Sequence, residues 1–328
     1  MKIGITGSTG NIGSQILAKL LEDKRDVNVL VRSSSRLSKE VIKKVNIYYG
    51  DITNEEALLC FLSEVDTVLH IAGKAHDPSG KEADYFQVNY EGTILLSNVA
   101  KMQKVKKIIY LSTIMVYGKS ENKEDDENTP CMPKDAYGIS KLRAEEVLLK
   151  EAKKGSYDAV VFRLPVVYGP YDKGNVKRLI KAISKKRFFY FGKGLAKRSM
   201  IYSQNIVDAV WLALEEKCGA GGQVFCVKDQ DDYTIVYLVN TICEELGIKW
   251  RPLHVPLFVV KVLGWCGDVA KIFLGNKVPI DSDRVLKLSS SLTFSSEKIK
   301  NDLGYKPPYT LRDGIREEVR WMREEGII

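Results

Sequence analysis

Tyr137 and Lys141 lie four residues apart, a spacing that on a helix sets a phenol beside an ammonium. One cation about 4 Å from a phenol stabilises the phenolate by about 4 kcal/mol at an effective dielectric of 20. That is close to what moves a tyrosine pKa from about 10 to about 7. Such a phenol gives a proton to, or takes one from, a substrate oxygen. Ser112 and Thr113 follow the apolar run Lys107–Leu111 and offer a hydroxyl to the same oxygen. Proton transfer at oxygen coupled to hydride transfer at carbon would oxidise a hydroxyl or reduce a ketone. An ordinary contact one helical turn apart on the surface is the bland alternative.

Hydride chemistry needs a carrier, and the loop Gly7-Ser8-Thr9-Gly10-Asn11-Ile12-Gly13 offers a place for one. It follows an apolar run and opens an amphipathic stretch, so its N–H groups and a helix N-terminus can hold a diphosphate. The spacing is G-x-x-G-x-x-G rather than G-x-G-x-x-G. Gly7, Thr9, Gly10, Asn11, Ile12 and Gly13 are the expected contacts. An NAD site should carry an acidic residue after the second strand. No Asp or Glu occurs from Val27 to Lys39, and Arg32 and Arg36 stand there instead. Their guanidinium forks suit a 2′-phosphate, which favours NADP(H) over NAD(H). Asp51, after the third strand, is placed to meet adenine, with a helix-capping role before Asn54 as the alternative.

The elements that must position these residues are legible as alternating patterns. Apolar runs at Lys2–Ile5, Val27–Val31, Val45–Tyr49, Thr67–Ile71, Lys107–Leu111 and Asp158–Phe162 predict strands buried on both faces. Helical periodicity occupies Ile12–Leu21, Phe86–Met102 and Ala136–Ala152 between them, then Asn205–Glu215 and Ile235–Leu246. The fold class is therefore α/β, a doubly wound parallel sheet with a smaller mixed α/β C-terminal substrate region. Residues 1–170 form the dinucleotide-binding domain, 171–328 the substrate region, and 203–228 return to the first, which makes the boundary discontinuous.

Composition excludes several classes. With 328 residues, 45% of them hydrophobic, the chain can bury a large core. Its net charge of +8 is interleaved with acids, as in Lys141-Leu142-Arg143-Ala144-Glu145-Glu146, which reads as a solvated surface rather than a nucleic-acid partner. The six cysteines form no C-x-x-C pair and the three histidines no cluster, so no metal site is expected. His70 reads as a strand residue, and Glu124–Glu127 as a short surface loop. Lys2-Ile3-Gly4-Ile5 runs straight into the glycine loop without a leader pattern, so a cytoplasmic location is expected. Val255–Cys266 is apolar apart from Lys261 and too short to span a bilayer. A packed helix is the expectation there, with an interfacial membrane helix as the alternative.

In order along the chain, these features resemble the extended short-chain dehydrogenase/reductase family, in its nucleotide-sugar branch of epimerases, dehydratases and 4-reductases. The resemblance includes His70-Ile71-Ala72-Gly73, Val88-Asn89-Tyr90-Glu91-Gly92-Thr93 and Leu111-Ser112-Thr113 ahead of Val116-Tyr117-Gly118. It continues through Arg163-Leu164-Pro165-Val166-Val167-Tyr168-Gly169-Pro170, Arg198-Ser199-Met200-Ile201-Tyr202 and Leu303-Gly304-Tyr305-Lys306-Pro307. It implies a Rossmann-type fold, Thr113 as the catalytic hydroxyl, Tyr137 as acid or base, and Lys141 holding the nicotinamide ribose. Ile52, Ala72, Gly73, Asn89 and Pro165 would face the cofactor. Arg198 would meet a nucleotide-sugar diphosphate, and Asn175 and Arg284 the substrate. Dehydratases of this kind carry Asp-Glu after the catalytic Thr; Ile114 and Met115 stand here and move no proton. The segment Pro279–Leu288 resembles a bacterial surface-polysaccharide subgroup of UDP-sugar 4-reductases and 4-epimerases. The expected reaction is NADPH-dependent reduction of a UDP-4-keto-(6-deoxy)-N-acetylhexosamine, with a UDP-hexose or UDP-N-acetylhexosamine 4-epimerase as the alternative. A reductase of steroid- or flavonoid-like ketones and a non-catalytic NADP sensor are more distant readings. A homodimer is what the likeness implies.

Overall fold

The computed structural model describes residues 1–33, 37–75, 81–118, 124–172, 174–215, 222–262, 265, 268 and 290–328. Six apolar runs form β1 (Lys2–Thr6), β2 (Asp26–Val31), β3 (Asn46–Tyr49), β4 (Thr67–His70), β5 (Lys107–Thr113) and β6 (Asp158–Leu164). With Gln223–Cys226 they make one sheet, in the order Gln223–Cys226, β6, β5, β4, β1, β2, β3. Every pairing is parallel.

Alternation along the strands explains why both faces are covered. On β5, Ile109 and Leu111 enter one core while Ile108 and Tyr110 enter the other; on β6, Val160 and Phe162 oppose Ala159 and Val161. Successive side chains point to opposite faces, so strands apolar at every position need helices on both sides. The helix α1 (Asn11–Glu22) and the helix Ser203–Glu215 supply one layer. The helices Glu55–Phe61, Gly92–Met102 and Ala136–Lys153 supply the other. The strand order reverses direction between β1 and β4, and in such sheets the ligand crevice lies at the carboxyl ends flanking that switch. The glycine loop leaves β1 there, and Ala72-Gly73 leaves β4.

A third core joins Tyr168, Ile180, Met200 and Leu238 to Ile315 and Val319 of the helix Leu311–Glu324. Glu318 of that helix is fully buried. Its Oε2 accepts from the Gly169 N–H at 3.0 Å, while Oε1 has no hydrogen-bond partner among the described residues. Burial, then the neighbouring Asp172, pushes its carboxyl up to about 8. The folded state therefore binds more protons than the unfolded chain between the ordinary glutamate range and about pH 8, and stability falls as pH rises through that window. Glu318→Gln is expected to flatten this loss. Melting temperatures at about pH 5 and about pH 9 check it, and parallel curves for both proteins would contradict it.

Two segments depart from expectation. Asp125 in the acidic stretch is buried, its N–H donating to the Thr293 carbonyl at 3.1 Å and its carbonyl accepting from Ser295 at 2.8 Å. Glu127 accepts from the Cys226 N–H at 2.6 Å, so the loop is tied to the body at Asp125 and Glu127 while Glu124 stays exposed. In the Val255–Cys266 stretch, Val260 is buried, but Phe258 is 70% and Trp265 67% exposed. A stretch apolar on nearly every side carries no signal for which face packs. Among the described residues no helix is long and apolar enough to cross a membrane.

Candidate active site

The glycines of the loop are required by close packing of backbone on backbone. Gly7 has φ +75°, and a Cβ there would stand 2.6 Å from the Ala72 N. A Cβ on Gly13 would collide with the Gly7 carbonyl oxygen. Gly10 caps α1 without a side chain, and no acid occupies the first turn, so the positive helix end is left for an anion. The buried Ser8 Oγ has no partner among the described residues. These features fit the diphosphate of a dinucleotide. Across the crevice, Thr6 Oγ1 accepts from the Ala72 N–H at 3.2 Å and bonds His70 Nδ1 at 2.9 Å. His70 is a buried strand residue, and burial pulls its imidazole down to about 3, so it is neutral.

Gly73 reaches toward Asn89 and Lys141: a Cβ on it would lie 3.2 Å from Asn89 Oδ1 and 3.7 Å from Lys141 Nζ. Asn89 is a buried clamp. It accepts from the Lys74 N–H at 2.7 Å and donates to the Lys74 carbonyl and to Ser140 Oγ, each at 3.0 Å. Thr113 ends β5 opposite Leu164, and the buried Pro165 follows β6 at the same edge. Ile52 is buried against Gly92, so its side chain belongs to the core beneath the crevice.

Tyr137 enters at the second residue of its helix because Asp135 caps that helix, accepting from the Gly138 N–H at 2.7 Å. Burial pushes its phenol up to about 12, opposed by a hydrogen bond with Thr113. The sequence expectation that Lys141 holds this phenol near 7 is not met. Lys141 is 4% exposed, its Nζ donates to the Leu111 carbonyl at 2.6 Å, and it sits 4.0 Å from the centre of the Tyr110 ring. Burial pulls the ammonium itself down to about 7, with Glu145 opposing. The Lys141 ammonium is directed at a carbonyl and a ring face, and burial, not this cation, sets the direction of the phenol's shift.

Beneath these groups lies a network that sequence reasoning missed. Arg163 Nη2 meets Glu145 Oε2 at 2.7 Å with both side chains buried, and Ser112 Oγ donates to Glu145 Oε1. Arg163 also donates to Tyr117 Oη at 2.9 Å. Two signals were present in the chain: Glu145 follows Lys141 by one helical turn, and Arg163 is a charge inside an otherwise apolar strand, which demands a partner.

At the far edge, Arg32 is 83% exposed and its Nε lies 4.0 Å from Asp51 Oδ2. Asp51 Oδ1 accepts from the Thr53 N–H and Oγ1, while the helix cap itself is Asn54. The structure brings Asn175 and Arg198 together on the wall of a cavity of about 1030 Å³. The Arg198 guanidinium donates to the carbonyls of Lys197 and Ser290. Arg36 and Arg284 lie outside the described residues.

Comparisons with known proteins fit this geometry. Residues 3–227 match the model of the NAD dependent epimerase/dehydratase family. The chain belongs to that family. It is accordingly an enzyme of the short-chain dehydrogenase/reductase class, in the nucleotide-sugar epimerase and dehydratase branch. It is 30% identical over 319 residues to the N-acetyl-α-D-glucosaminyl-diphospho-ditrans,octacis-undecaprenol 4-epimerase of Escherichia coli O157:H7, covering 97% of this chain and 94% of that protein. Identity to the UDP-glucose 4-epimerase of Vibrio cholerae is 32% over 323 residues, covering 95% and 93%. Among solved structures, the UDP-glucose 4-epimerase of Thermotoga maritima with UDP-glucose superposes with a TM-score of 0.77 at 24% identity, covering 99% of both chains. The shared fold accounts for the seven-stranded sheet.

Proposed function

We propose that the chain transfers hydride at C4 of a diphosphate-linked sugar, with Tyr137 as proton donor or acceptor at the C4 oxygen and Thr113 bonding that oxygen. The observation that carries this reading is the Thr113–Tyr137 hydrogen bond at the carboxyl end of β5, with Lys141 one helical turn on from Tyr137 and close to Gly73. Residues 7–13, Ala72, Gly73, Asn89 and Lys141 would hold a nicotinamide dinucleotide, which supplies and accepts the hydride. Ile114 and Met115 beside Thr113 carry no titratable group, which argues against elimination of water.

Two directions share this apparatus. The Escherichia coli and Vibrio cholerae relatives are both 4-epimerases by name, which supports 4-epimerisation. Arg32, whose guanidinium fork suits a 2′-phosphate, supports the reductase expected from the sequence. Arg198 and Asn175, on one cavity wall, would face the diphosphate side of the substrate. Two incubations decide between the directions. Interconversion of UDP-glucose or UDP-N-acetylglucosamine with its 4-epimer, without net cofactor consumption, supports the epimerase. Oxidation of NADPH by a UDP-4-keto-6-deoxy-N-acetylhexosamine supports the reductase. Neither activity, in protein that binds the dinucleotide, overturns hydride transfer at C4.

NADP(H) is the proposed cofactor, with Asp51 beside Arg32 as the group a 2′-phosphate must outcompete. Arg32→Asp is expected to shift the NADP/NAD preference toward NAD by at least about tenfold in kcat/KM. An unchanged ratio would remove the assignment.

A further inference from the structure

The cavity holding Asn175 and Arg198 is lined largely by apolar side chains, among them Phe188, Phe189, Phe191, Leu195 and Leu257. Its basic groups are Arg178, Lys193 and Arg198, with His254 beside them. This lining offers three cations to a diphosphate and gives an apolar arm, rather than a hydrogen-bonding base, most of the remaining wall. The apolar surface does not stop at the rim, because Phe189, Leu195 and Leu257 are exposed as well as lining.

From the rim it continues onto a helix. Strand Leu253–Val255 pairs in parallel with Phe189–Phe191, which fixes the start of that helix against the cavity mouth. Residues 257–262 are helical, and 265 and 268 are helical too. Phe258 and Val262 are spaced i, i+4 and share one face, and the helical Trp265 is exposed as well, while the buried Val260 holds the helix to the body. Leu253, in the strand that leads into this helix, is exposed as well. Lys249, Arg251 and Lys261 are exposed around it, and Asp268 is the acid on the helix among its described residues. Bulky apolar groups with a rim of cations form the pattern that lies in the headgroup region of an anionic bilayer, where lysine stems run along the apolar surface and keep their charge in water.

We propose that the face formed by Leu253, Phe258, Val262 and Trp265, with Arg251 and Lys261 at its edge, docks on an anionic lipid bilayer and opens the apolar cavity toward it. The substrate's second arm, beyond the diphosphate, is then a long apolar chain delivered from the membrane. This last consequence rests on the diphosphate-linked sugar proposed above, whereas the docking does not.

Sedimentation with phosphatidylcholine vesicles, with and without phosphatidylglycerol, tests the docking on the full chain. Wild-type protein is expected to bind the mixed vesicles at least about tenfold more tightly than phosphatidylcholine alone and to lose that binding at high salt. Phe258→Ser/Trp265→Ser is expected to weaken binding at least about tenfold while leaving the melting temperature and dinucleotide binding unchanged. Arg251→Glu/Lys261→Glu should weaken it without removing any apolar surface. No binding by the wild type, or equal binding by the first double variant, overturns the proposal. So does conversion of a dimer to a monomer by that variant, which would assign the face to a second copy of the chain. Turnover of a soluble UDP-sugar in vesicle-free buffer reports on the reaction separately, so failure of either idea is visible alone.

Discussion

Tyr137→Phe is expected to lower kcat by about a thousandfold while leaving dinucleotide affinity within a few fold. A positioned general acid or base contributes about 10² to 10⁴ in rate. The variant removes one oxygen from a ring whose packing, near Tyr85 at a centroid distance of 6.1 Å, is otherwise kept. Its hydrogen bond with Thr113 is lost, so Thr113→Val should also slow turnover, by less, because the phenol remains. Stopped-flow turnover and fluorescence titration with the dinucleotide check both halves. Near-native turnover by Tyr137→Phe would remove the tyrosine from the chemistry. Loss of dinucleotide binding would show that its role is structural.

Glu145→Ala is expected to destabilise the fold by about 3 to 5 kcal/mol, more than most substitutions at the site. Removing one partner of a buried ion pair leaves the other charged and uncompensated, and that cost is typically about 3 to 5 kcal/mol. Glu145 bonds Arg163 through both oxygens, at 3.3, 3.1 and 2.7 Å, and accepts from Ser112 as well. Burial alone would pull the Arg163 guanidinium down, but Glu145 outweighs it, so the arginine stays charged and depends on this carboxylate. Denaturant melts of Glu145→Ala and of Glu145→Ala/Arg163→Leu measure the effect. The second, which removes the stranded charge, should recover part of the loss. Equal stability of Glu145→Ala and wild type would show that the network carries no weight.

Most of the architecture and part of the site were legible locally. The six strands lie within one or two residues of the apolar runs, because strands buried on both faces leave continuous apolar sequence. The glycine loop was readable because Gly7 and Gly13 answer to contacts within the loop and with the adjacent strand end. Glu145 and Arg163 were not recognised: one looked like half of a charged helix surface, and only β6 pairing in register with β5 brings its partner beneath it. The tethering of the loop at Asp125 and Glu127 was hidden for the same reason, since their partners lie about 100 and 170 positions along the chain.

What the sequence determined by itself is the alternation of strands and helices, the glycine loop, the tyrosine and lysine one turn apart, and the absence of proton-transfer groups at Ile114 and Met115. These depend on residue type and short spacing. Tertiary structure alone decided that Lys141 is directed at the Leu111 carbonyl and the Tyr110 ring, that burial pushes the Tyr137 phenol up, and that Phe258, Val262 and Trp265 are exposed. Proton affinity and exposure are set by every group packed within a few ångströms, and in this fold most of those groups arrive from distant parts of the chain.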